Sequence, residues 1–362
     1  MAKLKLGDDV ITFTNEQGKP ETCKKKDATI IPTGTCTVRV DEFPEEGTNE
    51  NTNEILETEE VLGGKGANQA VATFKQSKGV KVSIVGCVGK DEAGLAALTN
   101  LRDSGVDISG VKVLGDRKTD GRIITVDKRG ENRMIGYGDC IKQLLPDMID
   151  EEKLKKADII AIQLKMPAQT VRYVIGFCKK HNIRLVIDPT PPDKSAILVQ
   201  DEFELLKQAT YLTPNEEEAF ALIKYAEGKD VSQWKKEFQE TPPEERLRMI
   251  QEFVAKNPNV IATVGGAGVI YNRNGIAVRK ATYPTVCKDS TGAGDTFNGG
   301  FIGAMTRDEG LDSAIEYGLM ASSIKVRESG AQKGVPYYEE TKKAIQEAKR
   351  KTTGGRDDDE GK

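Results

Sequence analysis

The chain is predicted to be an α/β protein, with a central, mostly parallel sheet covered by helices on both faces and a small β-sheet lid beside it. Three observations predict this. Short β-branched apolar runs alternate with segments whose apolar residues recur at helical spacing. Those runs are apolar throughout, as strands covered on both faces are. Two further runs alternate polar and apolar residues, the mark of half-exposed strands, and lie outside that rhythm. The 362 residues suit one α/β domain of about 250 to 320 residues with appendages as well as they suit two average domains.

In chain order, residues 1–28 are polar and form an N-terminal extension to a domain covering 29–345. "CTVRVDEF" near residue 40 and "DGRIITVDKRGENRMI" near 125 carry the alternating pattern, which places lid strands within about 35–60 and 112–136. "KVSIVGCVG" (81–89), "DIIAIQL" (158–164), "RLVIDP" (184–189) and "NVIATVGG" (259–266) are buried strands by the same criterion. "DEAGLAALTNLRDSG", "PAQTVRYVIGFCKKHN" and "PNEEEAFALIKYAEG" are the helices between them, giving βαβ units. "GVIYNRNGIAVRK" (268–280) is a hairpin turned at Asn274-Gly275. The charged stretch 229–253 is a helical insertion, and the tail 346–362, with nothing to bury, is expected to be disordered.

Composition narrows the function. Lys and Arg number 53 against 57 Asp and Glu, a net charge of -4, and the basic residues are dispersed, which argues against nucleic acid as a partner. No apolar stretch approaches the length of a membrane span, and "MAKLKLGDDVITF" lacks the apolar core of a signal peptide, so a cytoplasmic protein without a membrane partner is expected. The six cysteines (Cys23, Cys36, Cys87, Cys140, Cys178, Cys287) include no C-x-x-C pair, and the single histidine is His181. That disfavours a disulfide framework, a His-rich zinc site and a Ser-His-Asp triad. Each cysteine reads as a small buried hydrophobe, and His181 as a solvated residue at a helix end. Chemistry must then rest on carboxylates, backbone amides, lysines or a bound metal.

"DSTGAGDTFNGGFIGAM" is the stretch best suited to it. Phe297, Phe301, Ile302 and Met305 mark one buried helix face, so the helix begins near Gly292. Its first amides and its dipole favour an anion, and the glycines let phosphate approach the backbone. Asp295, one turn in, is placed to accept a hydroxyl proton; a plain Gly-rich turn with a first-turn charge is the bland alternative. "LGGKGANQAVATF" repeats the pattern, with Lys65 and Asn68 as donors for a polyhydroxyl ligand and Ala67, Ala70 and Ala72 explained by helix packing. It is neither a Walker A loop nor a dinucleotide fingerprint. Asn215 and Glu218 have capping-box spacing, and "TVGGAG" (263–268) is a strand-end turn open to backbone contact with a nucleotide.

Together, "GGKGANQAVA", "TPNEEE", "TVGGAG" and "DSTGAGDTFNGG" resemble, in this order, the ribokinase family of sugar kinases, and "VRVDEFPEEG" is similar to that family's early lid strand. The resemblance covers about 29–340. It implies a three-layer α/β/α domain whose lid closes over sugar and forms a homodimer interface, with ATP, Mg2+ and K+ as cofactors. It implies Asp295 as the catalytic base and Gly292, Ala293 and Gly294 as the anion hole. Gly64, Lys65 and Asn68 match sugar-binding positions. Asn215 and Glu218 match an N-x-x-E motif that organises phosphate and magnesium, and Thr263, Gly265 and Gly268 match the nucleotide loop. Asp289 and Thr291, with Lys325, Glu328, Gly330 and Gly334 from "KVRESGAQKG", match loops that hold potassium.

Three departures bear on the substrate. The family's G-S-x-N-x-D stretch is replaced by "IIPTGTCTVRVDEFP", with Thr33 and Thr35 in place of the sugar-binding Asn and Asp, or with a deletion if Gly34 is the anchor. Lys165 in "QLK" stands where an acid is common, and is either a contact to a phosphorylated substrate or a solvated lysine. Leu319 stands where a polar residue often flanks the adenine. The expected activity is an ATP-dependent sugar kinase with D-ribose as acceptor. A kinase of another sugar, a sugar phosphate or a nucleoside is the same-fold alternative, and an inactive nucleotide-binding regulator is the rival from another class.

Overall fold

The computed structural model describes residues 6–7, 10–14, 20–24, 34–40, 55–126, 132–190, 203–228 and 233–354, with side chains from Leu62 onward except 124–134 and 352–354. The chain divides into two compact units, Met1–Asn68 with Val82–Leu144, and Gln69–Lys81 with Leu145–Lys362.

In the first unit, β1 (Leu6–Gly7), β2 (Val10–Thr14) and β3 (Pro20–Lys24) form an antiparallel meander within the polar N-terminal stretch. Next come β4 (Gly34–Val40), β5 (Ile55–Leu62) and the helix α1 (Lys65–Gln76), whose first turn belongs to this unit and whose remainder belongs to the second. A βαβ unit follows: β6 (Ser83–Gly89), α2 (Glu92–Asp103) and β7 (Asp107–Leu114), the two strands parallel. β8 (Gly121–Val126) and β9 (Asn132–Tyr137) complete a four-stranded sheet of order β5-β4-β8-β9, in which only β4 and β8 run parallel. Residues 112–114, expected among the lid strands, instead pair with β6, because Val113 buries with Val88 and Leu98 beneath α2.

The second unit contains α3 (Glu151–Leu154), β10 (Ile159–Gln163), α4 (Ala168–His181), β11 (Arg184–Asp188), α5 (Phe203–Leu206) and β12 (Tyr211–Leu212). Three more helices follow, α6 (Glu216–Ala226), α7 (Trp234–Glu240) and α8 (Pro243–Lys256), then β13 (Ile261–Thr263), β14 (Val269–Arg273) and β15 (Ile276–Lys280). The chain closes with α9 (Ala293–Met305), α10 (Leu311–Lys325) and α11 (Tyr338–Gly354). β10, β11 and β12 are parallel, and parallel bridges at Leu212–Val260 and Asn215–Thr263 carry the sheet to β13, where β14 and β15 turn antiparallel. Leu185, Val186 and Ile187 point alternately to opposite faces of β11 yet all are buried, so both faces are covered. Val186 joins Phe297, Phe301, Ile302 and Met305 of α9 and Ala314, Ile315 and Leu319 of α10 in the main core. The hairpin turns at Asn274 and Gly275, both with positive φ, as a type I′ turn requires.

The 229–253 stretch contains two helices packed on α6, through Lys224–Glu237 and Arg246–Glu216 ion pairs at 2.6 and 2.7 Å. At the other end, α11 continues to Gly354, so 346–354 is helix and the expectation of disorder is corrected there. Ile345 and Ala348 pack against the core, and Lys349 reaches Glu316 at 2.6 Å, which gives this stretch something to bury. Among the described cysteines, burial pushes Cys140 up to about 12 and Cys178 to about 11, as inert thiols, whereas Cys287 is exposed, against expectation. His181 packs at a tilt against Phe177 one turn back, with ring centroids 4.4 Å apart.

Candidate active site

The last strand of the second unit is followed by a loop that ends in α9. Gly292 is its N-cap with φ +76, and a Cβ there would lie 2.6 Å from the Ala331 carbonyl, so both backbone conformation and the approach of a second loop exclude any other residue. The Ala293 amide donates to the Ser290 carbonyl at 3.0 Å and is thereby occupied; Gly294, next along, is exposed with open space around it. Asp295 is the third helical residue and 6 % exposed.

Asp295 is held by a residue from α1. Gln69 Nε2 donates to Asp295 Oδ1 at 3.1 Å and to Asp188 Oδ2 at 2.6 Å, while Gln69 Oε1 accepts from Gln163 Nε2 at 2.8 Å. Both acceptors of the amide nitrogen are carboxylates, so the orientation of the Gln69 side chain is fixed by chemistry. α1 can come this close because Ala72 packs on Gly299 of α9, where a Cβ would meet it at 2.4 Å.

Asp188 ends β11 and continues the network. Thr190 Oγ1 lies 2.8 Å from Asp188 Oδ1 and also contacts Glu218 Oε1. One hydroxyl proton serves only one of these two acceptors, and such an excess of carboxylate oxygen suits a hard cation. Glu218 and Asn215 form the full capping box of α6: Asn215 Oδ1 accepts from the Glu218 amide at 2.8 Å and Glu218 Oε2 from the Asn215 amide at 2.9 Å. Asn215 bridges to Thr263, whose amide donates to the Pro214 carbonyl at 2.8 Å. Gly265 opens the short turn after β13, and Gly268 closes it with φ +97 and its carbonyl 2.8 Å from the Val264 amide.

Asp289 organises the loop before α9. Its Oδ1 accepts from the Thr291 amide at 2.8 Å and its Oδ2 from the Gly330 amide at 2.7 Å. Burial pushes the Asp289 carboxyl up, but the hydrogen bonds from Thr291 and Gly330 and the nearby Lys325 outweigh it and hold it below the usual range. The amides of Lys288 and Asp289 both donate to the Val326 carbonyl, the Glu328 amide donates to the Lys325 carbonyl, and Gly334 packs on the Glu328 side chain. Lys325 is 0 % exposed, and its Nζ donates to the Asp289 carbonyl at 3.1 Å.

Gly64, Lys65 and Asn68 open α1 in the first unit, where the Asn68 amide donates to the Gly64 carbonyl at 2.9 Å and Asn68 is buried. Thr33 lies outside the described residues, and Thr35 is on β4. Lys165 is exposed in the turn after β10, and Leu319 is a core residue of α10.

The sequence matches the pfkB family of carbohydrate kinases over residues 28–337. The chain belongs to that family. It is 32% identical over 288 residues to the ribokinase of Bacillus subtilis, covering 79% of this chain and 88% of that protein. The ribokinase structure of Thermotoga maritima superposes with a TM-score of 0.69 at 29% identity, over 86% of this chain and 96% of the other. The ribokinase of Arabidopsis thaliana, determined with ribose and ATP, gives 0.71 at 23% identity over the same shares. This pfkB kinase therefore has the ribokinase-like fold and is an ATP-dependent phosphotransferase. Among the described residues, no helix is long and apolar enough to cross a membrane.

Sequence reading of this pfkB kinase missed Gln69, Asp188, Thr190 and Gln163. Asp188 had a usable signal: it is the last residue of a buried parallel strand, and open α/β sheets place their ligands beyond such carboxyl ends. Gln69 had none, because its partners are 119 and 226 residues away.

Proposed function

We propose that the chain transfers the γ-phosphate of ATP to a hydroxyl of a small sugar, with D-ribose as acceptor and ribose 5-phosphate as product. The observation that carries this is a buried Asp295 held one turn inside a Gly-Ala-Gly helix start by Gln69. The Asp295 carboxylate takes the proton of the sugar hydroxyl, whose oxygen forms the new bond to the γ-phosphorus while the bond to the ADP leaving oxygen breaks. Such a transition state is loose, so charge neutralisation and positioning supply most of the rate and a weak base suffices. The open amides at the start of α9, Gly294 above all, form the anion hole with Gly292; Ala293, its amide given to Ser290, acts as a spacer.

Gly64, Lys65 and Asn68 are the sugar donors, and Lys165 is a further substrate contact. Asn215, Thr263, Gly265 and Gly268 hold the nucleotide. Glu218 and Asp188 would hold Mg2+, whose chemistry is to neutralise the phosphate oxygens; the chain's own part is to keep both carboxylates fixed through Thr190 and the α6 cap. The four-stranded sheet of the first unit is the lid and the interface of a homodimer.

A second reading keeps the mechanism and changes the acceptor. It is favoured by Lys165, exposed where an acid is common, and by the replaced first-strand motif. ADP release with ATP and Mg2+, measured across ribose, deoxyribose, fructose, ribose phosphates and nucleosides, separates the two. Ribose is expected to give the highest kcat/KM; a phosphorylated sugar or nucleoside ahead of it would move the substrate. Intact ATP binding without turnover of any acceptor would leave a regulatory protein instead.

A further inference from the structure

The loops expected to hold a free potassium ion are built around an ammonium group of the chain itself. Hard oxygen atoms are present: the Asp289 carbonyl and carboxylate, and the Lys325 and Val326 carbonyls. Lys325, however, the last residue of α10, is 0 % exposed, and its Nζ already lies 3.1 Å from the Asp289 carbonyl. An ammonium and a potassium ion carry the same charge and are close in size, so a free ion at the same oxygens would face a buried like charge. The residues present do not fit free potassium.

We propose that Lys325 is a tethered monovalent cation that takes the place of potassium in this enzyme. Its ammonium fixes the Asp289 carbonyl, and Asp289 in turn fixes the Thr291 and Gly330 amides. Gly292 follows Thr291 directly and rests against Ala331, so the same brace sets the start of α9 and the position of Asp295. Burial pulls the Lys325 ammonium toward neutrality, and the Asp289 carboxylate opposes that pull. A lysine is normally a costly core residue; here its charge has a carbonyl and a carboxylate to serve.

The activity arm of the test rests on the kinase reading; the unfolding arm does not. Wild type, Lys325→Ala and Lys325→Met are compared in potassium, sodium and choline chloride at equal ionic strength, by thermal unfolding and by ADP release. Wild type is expected to unfold at the same temperature and turn over within twofold in all three salts. Lys325→Ala is expected to lose at least tenfold in choline, to recover with potassium, ammonium or methylammonium, and to gain thermal stability from potassium alone among the chlorides. Lys325→Met, which fills the space without charge, is expected to lose turnover and to show no cation response. A severalfold, potassium-specific rise in wild-type turnover, or a wild-type melting temperature raised by potassium over choline, would overturn the proposal. So would Lys325→Ala working as wild type in choline. Should Lys325→Ala fail to fold, the wild-type salt comparison decides alone; should no sugar be turned over, the kinase reading fails and the unfolding arm still judges Lys325.

Discussion

Gln69 ties the proposed base to the end of β11, since its single amide group donates to Asp295 and Asp188 together. Gln69→Leu removes both donors and leaves two buried acids facing each other. It is expected to lower kcat by about 10- to 100-fold with little change in KM for ATP, because the donors help place the base. Gln69→Glu adds a third carboxylate, and a like charge disfavours ionisation, so the ascending limb of the pH–rate profile should move to higher pH. A wild-type profile in Gln69→Glu would reduce Gln69 to packing. Asp295 stood out in the sequence as a candidate because small residues, a helix start and one acid fall within a few positions. Its partners were not, since a hydrogen bond across 226 residues leaves no local pattern.

Among elements, the turn into α9 separates stability from function through two neighbouring glycines. Gly292 has φ +76 and no room for a Cβ, so Gly292→Ala is expected to cost at least about 1–2 kcal/mol in denaturant unfolding. Gly294 is helical with nothing within 4 Å of a Cβ, so Gly294→Ala should gain up to about 1 kcal/mol, yet lose turnover because its methyl stands where phosphate must approach. An active Gly294→Ala would remove that amide from the anion hole. Most elements were legible here: β10, β11 and β13 of the second unit, α2, α4 and α6, the Asn274-Gly275 hairpin and the buried face of α9 follow from periodicity and turn chemistry, whereas the two-residue β12 was missed. The misreadings have one cause. Residues 346–354 read as disordered by composition, and 112–114 as lid strand, but each is decided by a distant partner, Glu316 and the core of α9 and α10 for α11, and β6 for β7. Tertiary context overrides local pattern at such places.

At the scale of the whole molecule, the resemblance read from four motifs over about 29–340 and the family match over 28–337 coincide, because a kinase of this kind concentrates its chemistry in Gly-rich turns that sequence displays openly. Substrate choice is less legible, since Lys165 and the replaced first-strand motif each leave more than one acceptor open. In the mechanism proposed for it, a histidine-poor chain performs phosphoryl transfer with one aspartate as its base. Single-turnover transfer from γ-labelled ATP to ribose by wild type and Asp295→Asn tests it most directly, beside ATP binding by both proteins. The expected result is ribose phosphate from wild type, a rate lower by about 10²–10⁴ in Asp295→Asn, and unchanged ATP affinity. Equal rates in the two proteins would contradict the assignment of Asp295 as the base.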